Sequence, residues 1–556
     1  MKRRDFIKAI GITAAIVAIS GVSVYLMRGI FYTPTNNRSQ NYATTTSFNK
    51  VSLYGDPRNP RSFNNRLFIP QQVSNKVVEL EAREISSNKL ALNYAYHYIS
   101  NDDNNIINPI LRVRKGDEIS VKFVNNLPLN QKSIIHWHGL YLPWDQDGHP
   151  IYAVNSGEVY TYSFKVYNRG GTYWYHPHPM GITSLQSYMG LASLFIIEDE
   201  DEERFKKEYG VYEEIPLIIQ DKRIDAQGNL VYSLSPIDLM MGYLGDKIVV
   251  NFTPNPYLEL DSKIYRFRIL NASNARKYKL SLVTYTNKKL PFYLIGVDGG
   301  FLNKPVKLYE VFVDVAERID IIVDLREFNK GDVLFLKSES FNPMHLEEMM
   351  GNSGMHYDMM GHTMIGNLNE GEEFYILKII IKDKVQSIDQ KMISENDELS
   401  SIELIDTKGA VKRRIVLSIS MMPMRWTING LSYDINSIPI KVNRESIEIW
   451  ELTSIGMPHP FHIHGGLFQV LERVNSPSQI KDLSIDKNGR LPTDLGWKDT
   501  VTVWPNEIVR IAVSFSKELS GTSSAPYMFS GRQLYLLHCH NLEHEDNGMM
   551  LNYSVE

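Results

Sequence analysis

The chain has 556 residues, 43% hydrophobic and 22% charged, with a formal net charge of −5. That length is too great for one core, and at roughly 150 residues per domain it predicts three or four domains, of which three are expected here. The small net charge leaves no footprint for nucleic acid as a partner, and a single cysteine excludes an internal disulfide.

The N-terminus reads Met1-Lys2-Arg3-Arg4-Asp5-Phe6-Ile7-Lys8 and continues into an apolar run from Ala9 to Met27. Paired arginines ahead of such a run resemble a twin-arginine export signal, whose machinery carries folded, cofactor-loaded proteins. The run approaches the roughly 20 residues that span a bilayer. Gly11, Thr13, Ser20, Gly21 and Ser23 dilute it, however, and no clear A-x-A site follows. Residues 1–42 are therefore expected to be an export signal and linker for a periplasmic protein, tethered to the membrane if the signal is retained. No other long apolar segment occurs, so the remainder is expected to be soluble.

From about Ala43 onward short β-type runs recur, including Ile119 to Val124, Tyr160 to Val166, Ile264 to Leu270, Ile319 to Val323 and Ile508 to Phe515. Turn signals such as Lys115-Gly116-Asp117, Asp298-Gly299-Gly300 and Lys330-Gly331-Asp332 separate them. Many short strands without an alternating helix pattern predict an all-β protein of sandwiches or barrels. The phrase from Arg112 to Asn126 is echoed by Pro439 to Thr453, and Tyr265 to Ser273 repeats the strand that ends each phrase. Boundaries are expected at the acidic run Asp199 to Glu203 and in the polar stretch Asp383 to Gly409. The resulting domains are 43–200, 201–385 and 410–556, with 386–409 as a linker.

Four His-x-His pairs punctuate the chain: His136/His138, His176/His178, His462/His464 and His538/His540. In a strand, residues i and i+2 share a face roughly 6.5–7 Å apart, so each pair can serve neighbouring metal ions. The last pair encloses Cys539 and is followed by His544 and Met549. One thiolate, two imidazoles and a distant thioether form the ligand set of a blue electron-transfer copper. Strand alternation turns Cys539 away from His538 and His540, which gives a short covalent path between a blue copper and a cluster. The chain's 15 histidines include eight in these pairs, and His459 and His544 complete the set.

These motifs resemble the multicopper oxidases over about Ala43 to Glu556: His136-Trp137-His138-Gly139, His176-Pro177-His178, His459-Pro460-Phe461-His462-Ile463-His464-Gly465, and His538 through Met550. The resemblance implies three cupredoxin-like domains and four copper ions, with the blue copper in the third domain and a trinuclear cluster between the first and third. It assigns His459, Cys539, His544 and axial Met549 to the type 1 copper, and His136 and His462 to the type 2 copper. His138, His176 and His540 would hold one type 3 copper, and His178, His464 and His538 the other. The middle domain is expected to be structural. Dioxygen is the implied oxidant, reduced to two waters. Asp147 and Glu545 match the family's proton-relay carboxylates, although Asp147-Gly148 also reads as a turn and Glu545 as a solvated acid. Asp499 is expected to fix the tautomer of a blue-copper histidine.

Seven methionines (Met344, Met349, Met350, Met355, Met359, Met360 and Met364) crowd a segment whose only large aliphatic residue is Leu346. Thioethers select Cu(I), so an exposed copper-gathering loop is expected rather than a Met-filled core. Met421, Met424 and Met457 resemble the substrate-copper methionines of periplasmic copper-efflux oxidases. Those enzymes pair their methionines with acids, whereas Ile455 precedes Met457 here and no acid lies between Met421 and Trp426. The expected activity is oxidation of Cu(I) or a small reducing substrate by a monomeric periplasmic enzyme. A laccase acting on phenols or amines and a non-enzymatic copper-binding protein are the alternatives.

Overall fold

The computed structural model describes residues 50–100, 106–344, 368–386, 390–421, 424–515 and 529–556. The export signal and all of the Met-rich segment except Met344 lie outside the described residues. The fold is all-β, built from six sheets that face one another in pairs. Each pair encloses its own apolar core, centred on residues such as Phe123, Trp137 and Tyr175 in the first, Phe267, Ile321 and Ile379 in the second, and Trp450, Phe461 and Val513 in the third. These are three cupredoxin-like sandwiches. Among the described residues no helix is long and apolar enough to cross a membrane.

The repeated phrase corresponds to a repeated position in the sheets. Glu118–Asn126, Ile264–Asn271 and Ile447–Ser454 each lie between a parallel partner on one side and an antiparallel partner on the other. Burial alternates along the first and last of these, as a strand with one covered face requires. The middle strand is buried throughout, because its second face carries Arg266 and Arg268 against Glu202. Glu202 belongs to the acidic run at the expected first boundary. That run starts a helix, Glu200–Tyr209, with Asp199 as its N-cap, and its acids suit the positive end of the helix dipole.

Two further placements matter for the site. Ile135–His138 pairs with Gly171–Pro177, setting His136 opposite His176. His459–Ile463 pairs with both Gln533–Cys539 and Thr500–Val503, setting His462 opposite His538 on one side and Thr500 on the other. All four histidine pairs therefore sit at or just beyond strand ends.

Candidate metal centre

Eight histidines converge, all buried. Ring centroids within the four pairs lie 5.0–6.1 Å apart, and rings from different pairs interleave. His136 stacks on His464 and His138 on His462, each at 3.8 Å. Three groups can be drawn within the assembly: His136/His138/His462, His138/His176/His540 and His178/His464/His538. His538 Nε2 is 3.1 Å from His464 Nε2 and 3.4 Å from His178 Nε2, and His138 Nδ1 is 3.4 Å from His176 Nε2. One metal held at roughly 2.0–2.1 Å by two imidazoles separates their nitrogens by about 3.3–3.6 Å. The spacing therefore fits a donor set.

The unpaired atoms agree with that fit. His136 Nε2, His462 Nε2 and both nitrogens of His540 are buried with no hydrogen-bond partner among the described residues, a costly arrangement unless an ion occupies the centre. Burial, reinforced by neighbouring rings, pushes His136, His138, His176, His462, His464 and His540 well below the usual imidazole range. Neutral rings offer the lone pairs that a metal needs.

A second group lies on the other face of the same strand. Cys539 Sγ is 3.3 Å from His459 Nδ1 and 3.8 Å from His544 Nδ1, and the two nitrogens are 3.3 Å apart. Burial pushes the thiol up, so deprotonation here calls for a bound cation. Met549 is buried in the same core as Cys539, and its carbonyl accepts from the Cys539 N–H at 3.0 Å. Trp426 was not singled out in the sequence. Its indole lies over His544 at 3.9 Å and edge-on to His459 at 5.2 Å, and its Nε1–H donates to the Leu239 carbonyl. His544 Nε2 is 3.1 Å from the Met240 carbonyl, on the Pro236–Met241 helix.

The two relay candidates are both buried. His464 Nδ1 donates to Asp147 Oδ2 at 2.7 Å and His136 Nδ1 to the Asp147 carbonyl at 2.6 Å. Burial raises this carboxyl far above its usual range. Asp147 does lie in a turn, and the following Gly148 has φ +85°, where a Cβ would collide with the Ile135 carbonyl. Glu545 is not solvated: Oε1 is 3.5 Å from His178 Nε2 and Oε2 is 3.1 Å from His538 Nδ1. Burial raises its carboxyl, but His538 and His178 outweigh that and hold it at about 2.

Glu545 belongs to a short helix, Leu542–Asp546, that touches every part of the site. Its Glu543 accepts from Tyr232, Asn274 and the Tyr243 N–H of the middle sandwich. Asp546 caps Thr183 and Ser184 of the first.

Asp499 stands elsewhere than expected. Its Oδ1 accepts from His138 Nε2 at 2.9 Å and its carbonyl from His462 Nδ1 at 2.8 Å. It thus serves the eight-histidine cluster, not His459 or His544, because it sits on the Thr500 side of His462 in the sheet.

Among the described residues the candidate methionines do not gather into one site. Met457 is only 1% exposed, in the core with Cys539 and Met549. Met424 is half-buried, paired with Met421 across a hairpin whose strand leads to Trp426. Met344 packs in a different cluster with Phe312 and Trp504. Met349, Met350, Met355, Met359, Met360 and Met364 lie outside the described residues.

Family models described as multicopper oxidase match residues 90–202 and 410–556. The chain is 33% identical over 455 residues to a multicopper oxidase, mco, of Staphylococcus aureus, covering 80% of this chain and 81% of that one. It is 30% identical to a laccase of Bacillus subtilis, covering 80% and 87%. Among solved structures it resembles the McoA multicopper oxidase of Aquifex aeolicus, with 39% identity, a TM-score of 0.73, and 88% and 99% of the chains covered.

Proposed function

The chain belongs to the multicopper oxidase family, and from that premise we propose that this oxidoreductase couples one-electron oxidation of Cu(I) to the reduction of dioxygen to water. His459, Cys539, His544 and Met549 would hold the type 1 ion, and His136 and His462 the type 2 ion. His138, His176 and His540 would hold one type 3 ion, and His178, His464 and His538 the other. When bound, these four coppers supply the redox chemistry, taking single electrons at the mononuclear site and delivering four of them to one dioxygen at the cluster. Cys539 joins the two groups covalently through its immediate neighbours. Asp147 and Glu545 orient cluster histidines and hand on the four protons that two waters require.

The observation that carries Cu(I) as reductant is the cover over the mononuclear group. His459 and His544 are both 0% exposed, with the Trp426 ring over His544 and the Met240 carbonyl on its outer nitrogen. A phenol ring has no imidazole edge to lie against. A cuprous ion needs only soft sulfur ligands nearby, and Met240 and Met424 are both half-buried rather than sealed. Each Cu(I) gives up one electron and leaves as Cu(II).

Loaded protein should carry four coppers per chain and an intense blue absorption. Cu(I) oxidation should exceed phenol oxidation, and deleting residues 344–364 should lower Cu(I) turnover severalfold. Phenol turnover that matches Cu(I), with no effect of the deletion, would favour the laccase reading. Trp426→Leu uncovers the His544 ring, and phenol oxidation should rise severalfold in steady-state assays while the blue absorption persists. The same reading has sandwiches at 43–200, 201–385 and 410–556 and a monomer exported folded to the periplasm by the twin-arginine route.

A further inference from the structure

Arg318 opens the Arg318–Asp324 strand of the middle sandwich and is completely buried. Its guanidinium is committed across all three sandwiches. Nε donates to the Thr172 carbonyl of the first at 3.0 Å, and Nη1 and Nη2 donate to the Ala316 and Asp298 carbonyls of the middle one at 2.9 and 3.1 Å. The same two nitrogens grip the Asp499 carboxylate of the third, Nη1 on Oδ1 at 2.8 Å and Nη2 on Oδ2. Such a two-point fork fixes the plane of a carboxylate as well as its position.

That plane matters because Asp499 Oδ1 is the acceptor for His138 Nε2–H. His136, His176, His462, His464 and His538 all direct Nδ1 at an oxygen and so offer Nε2 to the centre. His138 is reversed: Nε2 faces Asp499 and Nδ1 faces the neighbouring His176. A reversed ring needs an acceptor held rigidly behind it to keep that tautomer and orientation. The carboxylate also packs closely against the backbone beside His138. Gly139, next to His138, has φ +86°, and a Cβ there would collide with Asp499 Oδ2 and come within 3.1 Å of Arg318 Nη2.

We propose that Arg318 is a positioning residue for the histidine cluster: by fixing the Asp499 carboxylate it holds His138 with Nδ1 turned inward, so a sandwich that contributes no ligand helps set the oxygen-reducing centre. This rests on the copper reading above. It differs from general bracing by a buried arginine fork, for which Arg266 provides the comparison. Arg266 is equally buried and forks onto Glu202 at 2.7 and 2.8 Å, with no contact to Asp499.

The test compares full-length, copper-loaded Arg318→Lys with Arg266→Lys, each retaining its charge and losing its fork, alongside Asp499→Asn. Copper per chain, blue absorption, near-ultraviolet absorption and EPR of the cluster, and turnover against oxygen concentration are measured. Arg318→Lys and Asp499→Asn should keep the blue absorption, shift the cluster signals and lose about 10–100-fold in turnover or cluster copper affinity, the usual cost of losing a support behind a ligand. Arg266→Lys should retain wild-type cluster signals. Unchanged cluster signals in Arg318→Lys, or an equal shift in Arg266→Lys, would overturn the proposal. Absence of copper or blue absorption in the wild type would instead sink the copper reading.

Discussion

Cys539→Ser should end turnover and remove the blue absorption while the cluster keeps its copper. A serine hydroxyl is neither soft nor ionised at neutral pH, so the mononuclear group loses the one ligand that makes it both blue and connected. His538 and His540 extend to the opposite face and keep their neighbours, with His538 Nε2 still 3.1 Å from His464 Nε2. Copper analysis should find about one ion fewer per chain, and oxygen uptake should fall below detection. The metal-free variant should unfold only slightly earlier, since a hydroxyl in this apolar pocket costs on the order of 1–3 kcal/mol. Retained blue colour or sustained oxygen uptake would refute the role given to the thiol.

The second large effect is expected at Glu545. Glutamine keeps the size and the contacts near His178 and His538 but cannot shuttle a proton, and proton transfer from a positioned acid contributes roughly 10²–10⁴-fold. Glu545→Gln should therefore slow oxygen turnover by about that range. Anaerobic bleaching of the blue absorption by the reductant should proceed at the wild-type rate, because that half of the reaction needs no proton at the cluster. Stopped-flow bleaching and steady-state oxygen uptake separate the halves. If both slow together, Glu545 acts by holding the histidines and not by moving protons.

What could be read in the sequence was what depends on local periodicity. A strand alternates its side chains, so His-Cys-His already implied two faces and two groups, and the structure has Cys539 with His459 and His544 on one and His538 with His464 on the other. The repeated phrase likewise marked a repeated sheet position. Contacts made across the chain were not readable. Asp499 and His138 are 361 residues apart, and nothing in Trp497-Lys498-Asp499-Thr500 says which histidine its carboxylate will meet. Arg318 reads as an ordinary polar residue at the start of an apolar run, and only the folded protein shows that three sandwiches share its guanidinium. Trp426 carried no signal beyond being one of seven tryptophans. The run from Asp199 to Glu203 reads in the sequence only as a boundary, yet Glu202 is buried because two arginines of the middle sandwich neutralise it.

The Leu542–Asp546 helix has a temporal consequence. His178 and His538 are 360 residues apart in sequence, and Asp546 reaches Thr183 across 363. Contacts of that separation form late, after the intervening chain has collapsed into its own cores. Through Glu543, His544, Glu545 and Asp546, the helix joins the first sandwich, the middle sandwich and both histidine groups in a single turn. Its contacts are therefore complete only when the first and middle sandwiches are both in place. A chain that has not closed this turn has neither His544 beside Cys539 nor Glu545 beside His178 and His538.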